Sequence, residues 1–437
     1  MAKPNLAYIP ATIGGKVYSI LPSDGVGDFD FTRGTIATRI NAQGLIEEVA
    51  SGENRLNYSL LDGEVVGCPH LLLEPERTNL IQYSEDFSQL TTKSNITITD
   101  NQVISPDGSL NAASIIDNSV NGVHRAFTNY TSSVASGQVV SHSVFAKAKE
   151  HKWFQLSTGG NTNDQWANFD LENGVIGNSS SSANPIMEYY GNGWYRCILF
   201  ATTSANNASL AGLITLTNNL DATLRSPSYS GSNGGVFIFG LQIEQGSFPT
   251  SYIKTNGEVN GVTRAAELCY GSGNAATFND SEGVLMFETQ RISNGGHYST
   301  ISLDGGDLNN YIGILYRVNT NEVWLQVVIG SVQQFSKRLY NIKHDENNKF
   351  AVKYENTSFN WYLNGFLIAT NTASGMPFSS NTLNNIGFIA ANSSEPYYGK
   401  TKQVQYFDSA LSDTELEQLT SWDSFRAMAE GQLYTIE

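Results

Sequence analysis

"FNWYLNGFLIAT", residues 359–370, reads as two strands folded about a turn. Trp361 and Leu363 precede Asn364-Gly365, a pair that tolerates positive φ and suits a type I′ hairpin turn. Phe366, Ile368 and Thr370 then alternate onto one face of the return strand. No 3.6-residue period runs through the segment, so the chain here builds a sheet.

The same pattern extends in both directions. Towards the C-terminus, "NIGFIAAN" (385–392) and "KQVQYFDSAL" (402–411) read as strands. Upstream lie "FAVKYEN" (350–356), "VWLQVVIG" (323–330), "YIGILYRV" (311–318) and "GVLMFETQRI" (283–292). An earlier series comprises "VVSHSVFAKA" (139–148), "KWFQLST" (152–158), "WYRCILFATT" (194–203), "AGLITLT" (211–217) and "GVFIFGLQIEQG" (235–246). In the last of these, Phe237, Phe239, Leu241 and Ile243 are expected on one face and Val236 and Ile238 on the other. Short strands at this spacing predict β-sandwiches or jelly rolls. Ser412-Asp413-Thr414-Glu415 is a capping box and predicts a helix over 412–428. Leu416, Leu419, Trp422 and Phe425 are expected on its docked face.

The chain is therefore read as all-β. An extended N-terminal anchor segment (1–75) precedes two β-sandwich, jelly-roll domains (76–264 and 265–437), the second with a short C-terminal helix. Within 1–75, "ATRINAQGLIEEV" reads as a hairpin turning at Asn41–Gly44. Glycine and proline punctuate the rest, which lacks a core and needs a partner surface.

Composition agrees. Only 15% of the 437 residues are charged, against roughly 25% in an average soluble chain. Tyr and Phe number 21 each, and Asn, Ser, Thr and Gly supply most of the polarity. The net charge of −16 opposes nucleic acid and anionic lipid as partners. No apolar run approaches the ~20 residues of a membrane-spanning helix. "MAKPNLAYIPATIGG" lacks a signal-peptide apolar run, so synthesis in a cytoplasm, without secretion by the usual route, is expected. Cys68, Cys197 and Cys269 are too few and too scattered for a disulfide framework or a zinc site.

Catalytic patterns are missing. A laminarinase-type Glu-x-Asp-x-Glu strand, which sets an acid and a nucleophile ~5 Å apart, does not occur. Glu47 and Glu48 are adjacent and point to opposite faces of a strand. Asp304-Gly305-Gly306-Asp307 reads as a turn rather than a calcium loop. The six histidines, His70, His124, His142, His151, His297 and His344, show no metal spacing, and no phosphate loop is present. Neither an enzyme nor a cofactor is expected.

Aromatic side chains remain as the chemistry a sandwich can display, since a pyranose stacks on an exposed ring. Trp153, Trp166, Trp194, Tyr189 and Tyr190 are candidates in the first sandwich. Tyr311, Trp324, Trp361, Tyr397 and Tyr398 are candidates in the second. The competing reading for each, and the commoner fate of a strand aromatic, is packing in a core. The glycan-binding set selected is Trp153, Trp166, Tyr190, Trp324, Trp361 and Tyr398, with Trp166 favoured for exposure by its polar neighbours in "TNDQWANFD".

One further stretch joins the anchor segment to the first sandwich. "LLLEPERTNLIQYSEDFSQ" (71–89) closely resembles a run found across structural proteins of tailed bacteriophages. "DFDFTRGTIATRINAQGLIEEV" (28–49) is similar to their N-terminal segment. "FGLQIEQGSFPTSYIKTNGEVNGVTRAAE" (239–267) is similar to the end of their central, carbohydrate-binding-module-like jelly roll. "FAVKYENTSFNWYLNGFLIATNTAS" with "YYGKTKQVQYFDSALSDTELEQLTS" is similar to their laminin-G/concanavalin A-like terminal domain. The resemblance implies a virion protein assembled in the bacterial cytoplasm, with residues 1–75 contacting other virion proteins and the chain forming a homo-oligomer, a trimer. It implies a tail or fibre receptor-binding protein that contacts host surface glycans. The alternative is a head, collar or tail structural or decoration protein without a specific receptor.

Overall fold

A computed structural model of the chain describes residues 3–10, 17–292, 298–317, 321–343, 345–355, 358–372 and 378–422. Strands dominate, and the one α-helix among the described residues is Asp413–Thr420.

The first sandwich packs two sheets. One runs in the order Ile186–Tyr189, Trp194–Thr202, Val139–Ala148, Gly235–Gln245, Leu110–Asp117 and Ile96–Ile104. The other runs Val175–Ser179, Trp166–Asp170, Trp153–Gly160, Ser209–Leu216, Arg125–Phe127 and Thr92–Ser94. Val144, Leu156, Phe169, Leu199, Ile214 and Ile238 fill the space between them. One expected face changes side. Gly240 takes φ +62°, and the register of the central pair shifts between Ser143 and Phe145. This bulge puts Leu241 and Ile243 in the main core with Val236 and Ile238, while Phe239 joins Phe145, Trp194 and Tyr252 outside it. A left-handed residue inserted in a strand breaks the two-residue alternation, and glycine alone takes that conformation without cost.

In the second sandwich, a five-stranded sheet runs Val332–Leu339, Val323–Ile329, Tyr311–Tyr316, Ser299–Asp304 and Asn385–Gly387. It faces a sheet ordered Phe366–Thr372, Ser358–Leu363, Asn348–Glu355, Gly283–Arg291, Gly399–Phe407, Glu64–Leu73 and Arg55–Leu61. The hairpin of 359–370 turns at Asn364 (φ +50°) and Gly365 (φ +88°), as a type I′ turn requires. Its return strand is an edge, with Phe366 and Leu367 exposed and Ile368 packed against the core.

The N-terminal segment finds its partner surfaces within the same chain. Leu6–Tyr8 pairs with Gly399–Phe407, and Leu6, Tyr8, Leu71 and Leu73 are buried in the second core. Arg55–Leu61 and Glu64–Leu73 extend the second sandwich's larger sheet. The hairpin Ala37–Ile40/Ile46–Val49 instead leans on the first sandwich, where Ile46 packs with Phe145 and Trp194 and Thr38 Oγ1 donates to Tyr252 O.

Residues 71–89 cross between the two. Leu71–Leu73 close the second sandwich, Arg77–Asn79 pairs with Val262–Arg264, and Ile81 and Phe87 enter the first core. At the crossing, the stretches 28–49, 71–89 and 239–267 converge on one buried charge network with Arg55. Glu267 accepts from Arg33 Nη1 (2.7 Å), Arg55 Nε (2.8 Å) and the backbone N–H of Glu74 (2.8 Å). Glu74 accepts from Arg264 Nη1 (2.7 Å), Ser251 N (2.9 Å) and Ser251 Oγ (2.6 Å), and pairs with Arg55 at 2.8 Å. Burial alone would raise the Glu74 carboxyl, but Arg264 and Arg55 hold it well below the usual carboxylate range.

The C-terminal helix is shorter than expected. Its capping box is formed, with Ser412 accepting from the backbone of Glu415 and Glu415 reaching back. It ends at Thr420, where Ser421 is extended. Leu416 and Leu419 pack on the outer face of the larger sheet with Met286, Tyr362 and Phe407. Phe425 lies outside the described residues.

Candidate functional site

Beside the charged seam the two sandwiches enclose a cleft of about 590 Å³, within the ~300–1,000 Å³ of small-molecule sites. One wall is the strand Arg55–Leu61 and its turn, contributing Asn57, Tyr58 and Asp62. The opposite wall belongs to the first sandwich and carries Asn173, Glu188, Tyr189, Tyr190 and Tyr195. Lys400 reaches in from Gly399–Phe407.

Local sequence explains each wall. "LLDGE" turns at Asp62 (φ +49°) and Gly63 (φ +74°), a type I′ turn that joins two strands directly. "YYGNGW" bends at Gly191, Asn192 and Gly193, all at positive φ. The two turns touch, because neither Gly63 nor Gly191 carries a side chain. Tyr189 and Tyr195 are register partners, and their rings lie 4.7 Å apart at 34°. The Gly193 N–H donates to the Tyr189 hydroxyl at 3.2 Å. Tyr190 sets its edge against Phe145 at 4.9 Å and 85°, and burial pushes its hydroxyl up to about 12.

The polar side chains are partly committed. Asn57 accepts from the Ile40 N–H (2.8 Å) and its amide nitrogen sits 3.2 Å from His70 Nε2. Burial, then Lys400, Lys402 and Arg55, hold His70 well below its ordinary range and therefore neutral. Burial also lowers the Lys400 ammonium, against the opposing pull of Glu188.

The six selected aromatics divide. Tyr190 lines the cleft. Trp153 is half-buried nearby: its Nε1 donates to Asp170 Oδ2 (2.9 Å), which also accepts from the cleft residue Asn173 (3.0 Å). Lys152 Nζ stands 4.8 Å from the Trp153 ring centre. Trp324 is half-buried on the other sandwich, with the guanidinium groups of Arg317 and Arg338 at 5.0 and 4.9 Å from its ring. Three are corrected. Trp361 is fully buried and stacks on Phe335 at 6.1 Å, Tyr398 is 8% exposed, and Trp166 is 9% exposed despite its polar neighbours. Asn168 shares the ring's face and is itself buried there, donating to Leu220 O and Ala222 O, so polar neighbours do not signal exposure. Of the wider candidates, Tyr189 is exposed and lines the cleft, whereas Trp194, Tyr311 and Tyr397 are buried.

Sequence reasoning missed Tyr58, Tyr195, Glu188 and Lys400. Tyr58 has a local signal, since it precedes an Asp-Gly turn on an alternating strand. Lys400 has none, because nothing near it in sequence belongs to the cleft.

Asp304 ends the strand Ser299–Asp304 and Asp307 lies in the bend that follows, Asp304 accepting from the Gly306 N–H (2.8 Å) and from Ser302 Oγ. No group of three or more His, Cys, Asp or Glu side chains suited to a metal occurs among the described residues. No helix among them is long and apolar enough to cross a membrane.

No family model and no curated relative matches the chain. Among solved structures it is similar to the Ruminococcus gnavus IT-sialidase CBM40 bound to alpha2,3 sialyllactose, at 18% identity and TM-score 0.29, over 34% of this chain and 92% of that one. It is similar to the NanB sialidase from Streptococcus pneumoniae at 12% identity and TM-score 0.27, over 34% of this chain and 25% of that one. Sheep galectin-11 in complex with glycerol is similar at 8% identity and TM-score 0.22, over 29% of this chain and 90% of that one.

Proposed function

We propose that this chain is a bacteriophage virion protein, carried in a tail or fibre, that binds host surface glycans without cleaving them. The virion role is supported by the sequence resemblance of residues 28–49, 71–89 and 239–267. Glycan binding is carried by one observation: Tyr58, Tyr189, Tyr190 and Tyr195 gather with Asn173, Glu188 and Lys400 in a cleft between two sandwiches. Ring faces cover the apolar side of a pyranose, and hydroxyl, amide and charged groups exchange hydrogen bonds with its hydroxyls.

A glycan array probed with the intact chain and with Tyr189→Ala tests this. Saccharide binding that is lost in the variant, without a drop in melting temperature, is the expected result. Binding unchanged by Tyr189→Ala removes the cleft as the site. Incubation with a bound oligosaccharide should yield no shortened products.

The buried seam of Arg33, Arg55, Glu74, Arg264 and Glu267 favours a second reading, a head, collar or tail structural or decoration protein, because it holds both sandwiches as one unit. Antibody labelling of the particle separates the two readings by location. Homo-oligomerisation as a trimer is part of the proposal and rests on the resemblance, since the N-terminal arms bury their apolar surface within their own chain. Light scattering of a stable monomer at micromolar concentration would count against it.

A further inference from the structure

We infer that the saccharide held in the cleft is acidic and seats its carboxylate on Lys400. This rests on the glycan-binding reading above and adds the chemical class of the ligand.

Lys400 is half-buried and lines the cleft, and its ammonium has no hydrogen-bond or ion-pair partner among the described residues. Three acids lie near it, and Asp62 sits exposed at the turn of the cleft wall, outside ion-pair distance of the ammonium. Glu74 is engaged by Arg55, Arg264 and Ser251. Glu188 lines the opposite wall, exposed to solvent, and acts on the ammonium through charge without a hydrogen bond to it. Lys402 adds a second positive charge to the surroundings of Lys400, and the neighbouring His70 is neutral.

A partly desolvated ammonium with no carboxylate in contact is costly, and a ligand anion placed beside it recovers that cost. The exposed carboxylates of Asp62 and Glu188 are screened by water and repel an incoming anion only weakly. A neutral sugar would leave Lys400 with hydroxyl partners alone. The aromatic wall favours an anion borne on a ring: Tyr58, Tyr189 and Tyr195 line the same cleft as the ammonium and supply ring surface that a free inorganic anion would not use.

The test pairs each acidic saccharide on an array, uronic and other carboxylated sugars, with its carboxyl-reduced neutral counterpart. The intact chain, Lys400→Met and Lys400→Arg are compared at equal folded fraction. Acidic members should bind, with their reduced partners weaker by about tenfold or more. Lys400→Met should bring the acidic members down to the neutral level, and Lys400→Arg should keep the preference. If neutral members bind as well as acidic ones, or Lys400→Met leaves acidic binding intact, this inference is overturned. In that case loss of binding in Tyr189→Ala would leave the glycan reading standing. Binding of no saccharide, acidic or neutral, removes both. Should Lys400→Met fail to fold, the acid and reduced pairs on the unaltered chain still decide.

Discussion

Gly63 and Gly191 meet backbone to backbone: a Cβ on Gly63 would stand 2.6 Å from the Gly191 Cα and 2.6 Å from the Tyr189 ring. The two turns belong to opposite walls of the cleft, so their contact sets its width. Gly63→Ala should strain a backbone at φ +74°, at roughly 1–2 kcal/mol, and should also push the walls apart. Gly67→Ala is the control, because Gly67 has φ +65° with nothing within 4 Å. Both variants should lose stability in calorimetry, and only Gly63→Ala should lose saccharide affinity. Equal affinities in the two would show that the contact does not shape the site.

The seam makes a second prediction. Glu267→Gln removes the charge that Arg33 and Arg55 share, leaving buried guanidinium groups underpaired. A loss of about 3–5 kcal/mol is expected in urea unfolding. A loss below ~1 kcal/mol, the scale of exposed pairs, would mean that water reaches the seam.

Acid should destabilise the fold in two stages. His142 is fully buried, its ring nitrogens lack hydrogen-bond partners, and burial lowers its pKa to about 3. The unfolded chain takes up this proton below ~6.5 while the folded one does not, so stability is lost as pH falls from there towards 3, by about 1.4 kcal/mol per pH unit. His70 acts in the same direction. The depressed Glu74 carboxyl contributes stability that is present above ~4.3 and disappears at lower pH. His142→Leu should therefore flatten the profile between pH 6.5 and 4.5 and leave the lower limb. An unchanged slope in the upper window would exclude His142 as its source.

The helix tests stability apart from binding. Ser412→Ala should cost about 1 kcal/mol through loss of the cap. Leu419→Ala should cost about 2–5 kcal/mol, since Leu419 is only 7% exposed. Neither should alter saccharide binding per folded molecule. Loss of binding without loss of stability in Leu419→Ala would make the helix an interaction surface.

Much of the fold was legible in local sequence. Val139–Ala148, Trp194–Thr202 and Gly283–Arg291 stand within a residue of where alternation placed them. Asn364-Gly365 turns as its φ tolerance demands, and Ser412 and Glu415 cap the helix as their spacing indicates. These features depend on neighbours a few residues apart, where backbone sterics and short hydrogen bonds decide. The helix end was misjudged, because the apolar spacing through Trp422 continues past the point where the backbone turns out of the helix at Ser421.

The candidate site was legible only in part. Periodicity marks Trp361 and Trp153 alike as aromatic positions on strands, yet one is fully buried and the other half-exposed. Which face of a sheet meets another sheet is a property of the assembled layers, and it is not written in the alternation itself. Likewise Tyr58, Tyr189 and Lys400 are far apart in the chain and share no local pattern. They meet because Arg55–Leu61 and Gly399–Phe407 belong to one sheet, and because the seam around Glu74 and Glu267 holds that sheet beside the first sandwich. The sequence by itself determined strands, turns and cap through short-range sterics. The cleft was decided by tertiary structure alone, through burial and charge pairing between residues hundreds of positions apart.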